Sequence, residues 1–235
     1  MRIYIFPFNL YHFSQIKKIA NFFLQGKITT NICIFAKETL HDCSKTQEHK
    51  IHFNKMDNSN LLEKLSGRIH ECDIQKIVSH IQQQKTDDSI KALYNLIFDT
   101  DKYISGNAAW ILTHLDTSHN KWLYSKQDEL IQESMQTSDI GKRRLILTLL
   151  LKQPFNKEHI RGDFLEYCFN RITSDKESIS IKALCMKLAY KQCIHFPELL
   201  EELRLTLEMM ESNPLSSGLQ VVRRKILGQI LKRTK

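Results

Sequence analysis

A unit of two helices recurs along this chain about every 35 to 40 residues, and a period of that length restricts the fold to a helical solenoid. The stretches Asn107-Ala108-Ala109-Trp110-Ile111-Leu112-Thr113 and Lys142-Arg143-Arg144-Leu145-Ile146-Leu147-Thr148 both place Ile-Leu-Thr at the same point. Related frames begin at Ile181 and at Gln220, so the starts differ by 35, 39 and 39 residues. Such a chain buries its core between successive repeats and exposes extended faces rather than one deep pocket.

Helix geometry accounts for the unit. Ile181, Leu184, Cys185, Leu188 and Ala189 recur at helical spacing and form one apolar stripe, and Ala108, Ile111, Leu112 and Leu115 repeat it. Between Leu145 and Leu151 only Thr148 is polar, so that helix is apolar all round and needs neighbours on several sides. Ser174-Asp175-Lys176-Glu177 reads as a capping box, and Pro197 and Asn213-Pro214 suit first-turn positions. Helices are expected over residues 60–83, 87–99, 102–115, 122–135, 139–152, 158–173, 176–193, 198–211 and 215–232. No stretch alternates as a strand does, and 7 glycines are too few for many tight hairpins, so the fold class is all-α.

Residues 1–55 stand outside the repeat. They carry seven of the 12 Phe with little helical periodicity and read as an irregular extension, with Met56-Asp57 as the natural start of a 56–235 repeat domain. The opening Met1-Arg2-Ile3-Tyr4-Ile5-Phe6 is broken by Asn9 and His12 before any small-residue cleavage site, and is not read as a secretory signal. Cys33, His41, Cys43, His49 and His52 match none of the usual zinc frameworks, so no metal site is assigned. This segment holds eight Lys or Arg against three Asp or Glu. The repeat region, with 26 basic and 23 acidic residues, therefore keeps little of the overall +8 charge. Cys72, Cys168, Cys185 and Cys193 fall on expected helices without a Cys-x-x-Cys pair, which points to reduced, buried thiols and a cytoplasmic protein. No apolar run is long enough to span a bilayer.

The stretch from Asp101 through Ala108-Ala109 to Leu112 resembles a HEAT or armadillo-type helix, which begins with Asp and later carries Ala-Ala-x-x-Leu. Ser174-Asp175 followed by Ile181-Lys182-Ala183-Leu184 is a second instance, and the likeness covers residues 60 to 233. It implies an α-α superhelix that serves as a protein-interaction or scaffold module without a cofactor. Similar short chains sometimes carry the name adenylosuccinate lyase. That enzyme's Ser-Ser-x-Met-Pro-x-Lys-x-Asn loop is absent, and the nearest string is Pro214-Leu215-Ser216-Ser217-Gly218. A distant likeness to HEAT-like alkylation-repair proteins makes nucleic acid the alternative partner.

Two basic clusters supply the candidate binding residues. Lys142-Arg143-Arg144 and Arg223-Arg224-Lys225 lie two repeat lengths apart with Lys182 between them, and would form a basic row on a concave face. The competing expectation is structural, with these cations paired to a neighbouring Asp such as Asp139 or Asp175. Trp110 and Trp122 complete the candidates, although large aromatics in solenoids usually fill space between helices. One turn beyond Trp110 stands His114, where the repair enzymes carry Asp, so no catalytic residue is assigned. No nucleophile elbow, Walker loop or dinucleotide fingerprint occurs.

Overall fold

The computed structural model describes residues 58–233 apart from 85 and 211–214, and every element named below lies within them. Helices α1 (Asn58–Leu65), α2 (Glu71–Gln83), α3 (Asp88–Leu96) and α4 (Lys102–His114) come first. A short helix α5 (Thr117–Asn120) then runs through a 3₁₀ segment, Lys121–Lys126, into α6 (Gln127–Gln136) and α7 (Ile140–Lys152). After a 3₁₀ turn at Lys157–His159 follow α8 (Gly162–Thr173), α9 (Ile179–Cys193), α10 (Pro197–Met209) and α11 (Ser217–Leu231). Among the described residues there is no strand, and the chain is an all-α repeat solenoid.

Two layers result. Helices α4, α7, α9 and α11 pack side by side in chain order and form the B layer; α6, α8 and α10 form the A layer, each joined to the B helix that follows it. Helix α3 pairs with α4 in the same way, and α1 and α2 also rest on α4. Because the interior B helices α7 and α9 have a B neighbour on each side and an A helix behind, they bury most of their circumference. Ile146, Leu147, Leu149 and Leu150 of α7 are all buried, as the all-round apolar sequence of that helix required. Each fully buried Leu or Ile contributes about 1.5–3 kcal/mol relative to leaving it in water.

The register of the B layer is set by its caps. The side chains of Asp101, Asp139, Ser178 and Ser216 accept the amides of Ile104, Lys142, Ile181 and Leu219, each three residues on. Successive caps are 38, 39 and 38 residues apart. The 35-residue step expected from the shared Ile-Leu-Thr is therefore one helical turn short. Counted from the caps, Ile111 aligns with Leu149, Leu188 and Ile226, all buried. A slide of one turn leaves an apolar stripe in register with itself, and only the caps break the tie.

Other expected boundaries move for local reasons. The 60–83 helix is split at Ser66-Gly67, where Asn107 Nδ2 donates to the carbonyls of Leu65 and Gly67 at 2.9 Å each. The expected capping box does not form: Ser174 closes α8, and the N-cap of α9 is Ser178, one turn later and with Ile181 at its third helical position. Glu177 instead accepts from the Ser178 amide and pairs with Arg171 at 2.9 Å. Pro197 is the first residue of α10, as expected, whereas Asn213-Pro214 and all expectations for residues 1–55 lie outside the described residues.

Candidate functional site

Charge divides between the layers. None of α4, α7, α9 or α11 contains Asp or Glu, while α7, α9 and α11 each carry three or more Lys or Arg. The A layer is the reverse: α6 holds Asp128, Glu129 and Glu133 with no Lys or Arg, and α10 holds four Glu against Arg204. This separation comes from side-chain choice on helices whose backbones are alike, so it says where each layer meets its surroundings.

Part of the basic charge is structural. Arg143 Nε donates to the Ser134 carbonyl at 3.3 Å and Nη2 donates to that of Thr137, so the guanidinium closes the C-terminus of α6. Arg223 does the same for α10, donating from Nε to Leu207 O at 2.5 Å and from Nη2 to Glu208 O at 3.4 Å. The last turn of a helix presents carbonyls without intrahelical partners, and cations are favoured there. Lys142 is turned inward as well, 2.8 Å from Glu133. These three expected members of an exposed basic row are 8 to 9% exposed. For Lys142 the ion-pair partner is Glu133 rather than the Asp139 considered from sequence, whose side chain caps α7 instead.

A second set of contacts joins one repeat to the one before. Thirteen residues after their caps, Lys152 donates to Thr113 O at the end of α4, and Lys191 donates to Leu151 O at 2.9 Å and Gln153 O at 2.5 Å at the end of α7. Burial pushes the half-buried Lys191 ammonium below the ordinary lysine range. His114 holds the same position on α4, with Nε2 3.4 Å from Glu71 at the start of α2.

A two-helix hairpin recurring at a fixed, cap-defined register is the architecture of a helical repeat protein. A family model described as a HEAT repeat domain matches residues 61–230. The chain belongs to the HEAT repeat family. Searches of curated proteins and of solved structures return no match. The family assignment makes this a repeat-type interaction or scaffold module, and it speaks for neither the alkylation-repair likeness nor the lyase name. Ser216, from the string nearest to the lyase loop, is the N-cap of α11 and accepts the Leu219 amide at 3.4 Å.

A candidate binding surface is the set of first, fifth and ninth residues after each B cap, a helical i, i+4, i+8 stripe. It reads Lys102, Gly106 and Trp110 on α4; Ile140, Arg144 and Thr148 on α7; Ile179, Ala183 and Lys187 on α9; and Ser217, Val221 and Lys225 on α11. All twelve are exposed or half-buried. Arg224 and Lys182 flank it, the first exposed and the second half-buried. The structure thus gathers Trp110, Arg144, Lys182, Arg224 and Lys225 from the expected candidates and leaves out Lys142, Arg143, Arg223 and Trp122. The two basic clusters are not equivalent, because Lys142 follows its cap by three residues and Arg223 by seven.

Trp122 is a packing residue, edge-on to Tyr94 with ring centroids 5.5 Å apart. The Tyr94 hydroxyl donates to Glu129 at 2.6 Å, and burial together with this carboxylate raises its pKa. Lys187 was missed by sequence reasoning, and the cap-to-cap register alone would have found it beside Lys225. The remaining HEAT residues hold no group of three or more His, Cys, Asp or Glu suited to a metal among the described residues. Among the described residues no disulfide forms: Cys72, Cys168, Cys185 and Cys193 are all reduced, the last three fully buried. No helix of the described residues is long and apolar enough to cross a membrane.

Proposed function

We propose that the outer stripe of the B layer docks an acidic, partly apolar segment of another protein. The observation that supports this reading is the exclusion of carboxylates from all four B helices. Lys102, Arg144, Lys187 and Lys225 meanwhile stay in water between Ile140, Ile179 and Val221. Cations placed so attract and orient an acidic partner, and the aliphatic side chains add contact area that salt does not screen. A single strand of nucleic acid would use the same cations and also stack its bases on flat aromatic faces. Trp110, the aromatic ring of the stripe, is half-buried with its plane edge-on to His114 at 6.2 Å.

The test is fluorescence anisotropy of the full chain with a labelled peptide of alternating Glu and Leu, and with duplex DNA, across a salt series. The expected result is peptide binding that weakens moderately with salt and falls about tenfold or more in Arg144→Glu/Lys187→Glu/Lys225→Glu. Steeply salt-dependent DNA binding without peptide binding would transfer the stripe to nucleic acid. Peptide binding unchanged in the triple variant would remove the stripe from any role.

A further inference from the structure

A second surface, on the opposite layer, departs from its own repeat pattern. Each A helix is anchored by two buried residues four apart: Leu130 and Ser134 on α6, Phe164 and Cys168 on α8, Leu203 and Leu207 on α10. Two residues past each anchor the side chain faces water. On α6 those positions hold Gln132 and Gln136, and on α8 they hold Glu166 and Asn170. On α10 they hold Leu205 and Met209, which are 48% and 77% exposed.

Four carboxylates surround this pair, from Glu198, Glu201, Glu202 and Glu208, all exposed. Arg204 takes two of them, at 2.6 Å from Glu201 and 2.6 Å from Glu208, which leaves the helix surface negative on balance. Leu205 and Met209 stand in the d-to-a spacing of a coiled-coil seam, and Glu201 and Glu208 occupy the flanking position one heptad apart. Glu198 and Glu202 hold the same two seam positions one heptad earlier, so this face joins a short apolar step to an acidic one.

We propose that the outer face of α10 docks a cationic amphipathic helix of a partner protein, whose apolar stripe covers Leu205 and Met209 while its Lys or Arg side chains meet Glu198 and Glu202, the two carboxylates that Arg204 does not hold. The occupant is fixed by charge complementarity: an acidic helix would place like charges along the seam. Because a single helix supplies the contact, the complex belongs to the weak, transient class. This surface is independent of the B-layer stripe, and either can fail alone.

The probe is an amphipathic helical peptide of Leu and Lys, titrated into the full chain by fluorescence anisotropy, with its Leu and Glu counterpart as control. Binding of the cationic peptide alone is expected, weakened about tenfold in Leu205→Glu/Met209→Asn, which installs the residues α8 carries at the same positions. Glu198→Gln/Glu202→Gln should weaken it less and reduce its salt dependence, and both variants should keep the parent's circular dichroism. Arg144→Glu/Lys187→Glu/Lys225→Glu should bind as the parent does. Absence of binding, equal binding by the α10 double variant, or loss in the B-layer variant would each overturn the assignment.

Discussion

The two layers of this HEAT domain solve different problems with the same backbone. An A helix has one buried side, so its sequence shows a narrow apolar stripe with carboxylates on the rest. An interior B helix is enclosed on three sides, so its sequence is largely apolar, and the stripe beginning at Ile140 or Ile179 answers to solvent. Charge follows from this enclosure. The polar groups a B helix meets at its edges are the carbonyl ends of neighbouring helices, which Arg143, Arg223, Lys152 and Lys191 satisfy and which a carboxylate would repel. The basic character of the B layer is thus partly architectural before it is available for binding.

The sharpest test of the contrast is truncation at matched sites. Leu188→Ala, in the middle of α9 at 0% exposed, is expected to cost about 2–5 kcal/mol, whereas Glu166→Ala on the outer face of α8 should stay within about 0.5 kcal/mol. Urea denaturation of both variants checks this, and comparable midpoints would show that the layers are not differently enclosed. Next come the cationic closures. Arg143→Met takes the guanidinium donor from the Thr137 carbonyl and leaves that of Ser134 to Tyr167 alone, Arg223→Met removes it from the carbonyls of Leu207 and Glu208, and each should destabilise by about 1–3 kcal/mol. Lying in different hairpins, they should add in the double variant, and a strong departure from additivity would mean that the hairpins are coupled.

A smaller effect of opposite sign is expected at Gln192. Its Oε1 is buried without a hydrogen-bond partner, and the equivalent residues of α4 and α11 are Leu115 and Ile230. Gln192→Ile should therefore raise the urea midpoint, by about 1 kcal/mol, and a fall would show that the amide is satisfied in solution. The smallest effect concerns Cys193, whose thiol burial pushes up from 9.0 to about 12. The folded chain keeps this proton while the unfolded chain loses it above pH 9, so its contribution is present below pH 9 and is lost between pH 9 and about 12. Stability measured over that window should fall less steeply in Cys193→Ala than in the parent.

The fold was legible because it is written in apolar spacing: the stripe through Ile181, Cys185, Leu188 and Ala189 is buried as expected. Helix order followed from the same pattern. The register was not, since Ile-Leu-Thr matches itself one turn out of place, and the decisive residues are the small caps Asp139 and Ser216. For the site, the difficulty is sharper. Arg143 and Arg144 are neighbours in sequence, yet one closes α6 and the other is exposed, and a helix apolar on every side gives no amphipathic stripe by which to tell them apart. Arg223 and Arg224 divide in the same way. Cationic residues near the beginning of a B helix are legible as charge but acquire a role only once the end of the preceding A helix is placed beside them.

The position thirteen residues past each B cap gives the solenoid a grain. His114, Lys152 and Lys191 each reach back to the preceding unit, but in α11 the place is taken by Gln229, a neutral amide exposed to water. The series of backward ties stops at α9. The last hairpin, riveted within itself by Arg223, has Gln229 where the others carry this tie, so under heat or load the domain should peel from its carboxyl end, with α10 and α11 leaving together and the remaining repeats still fastened.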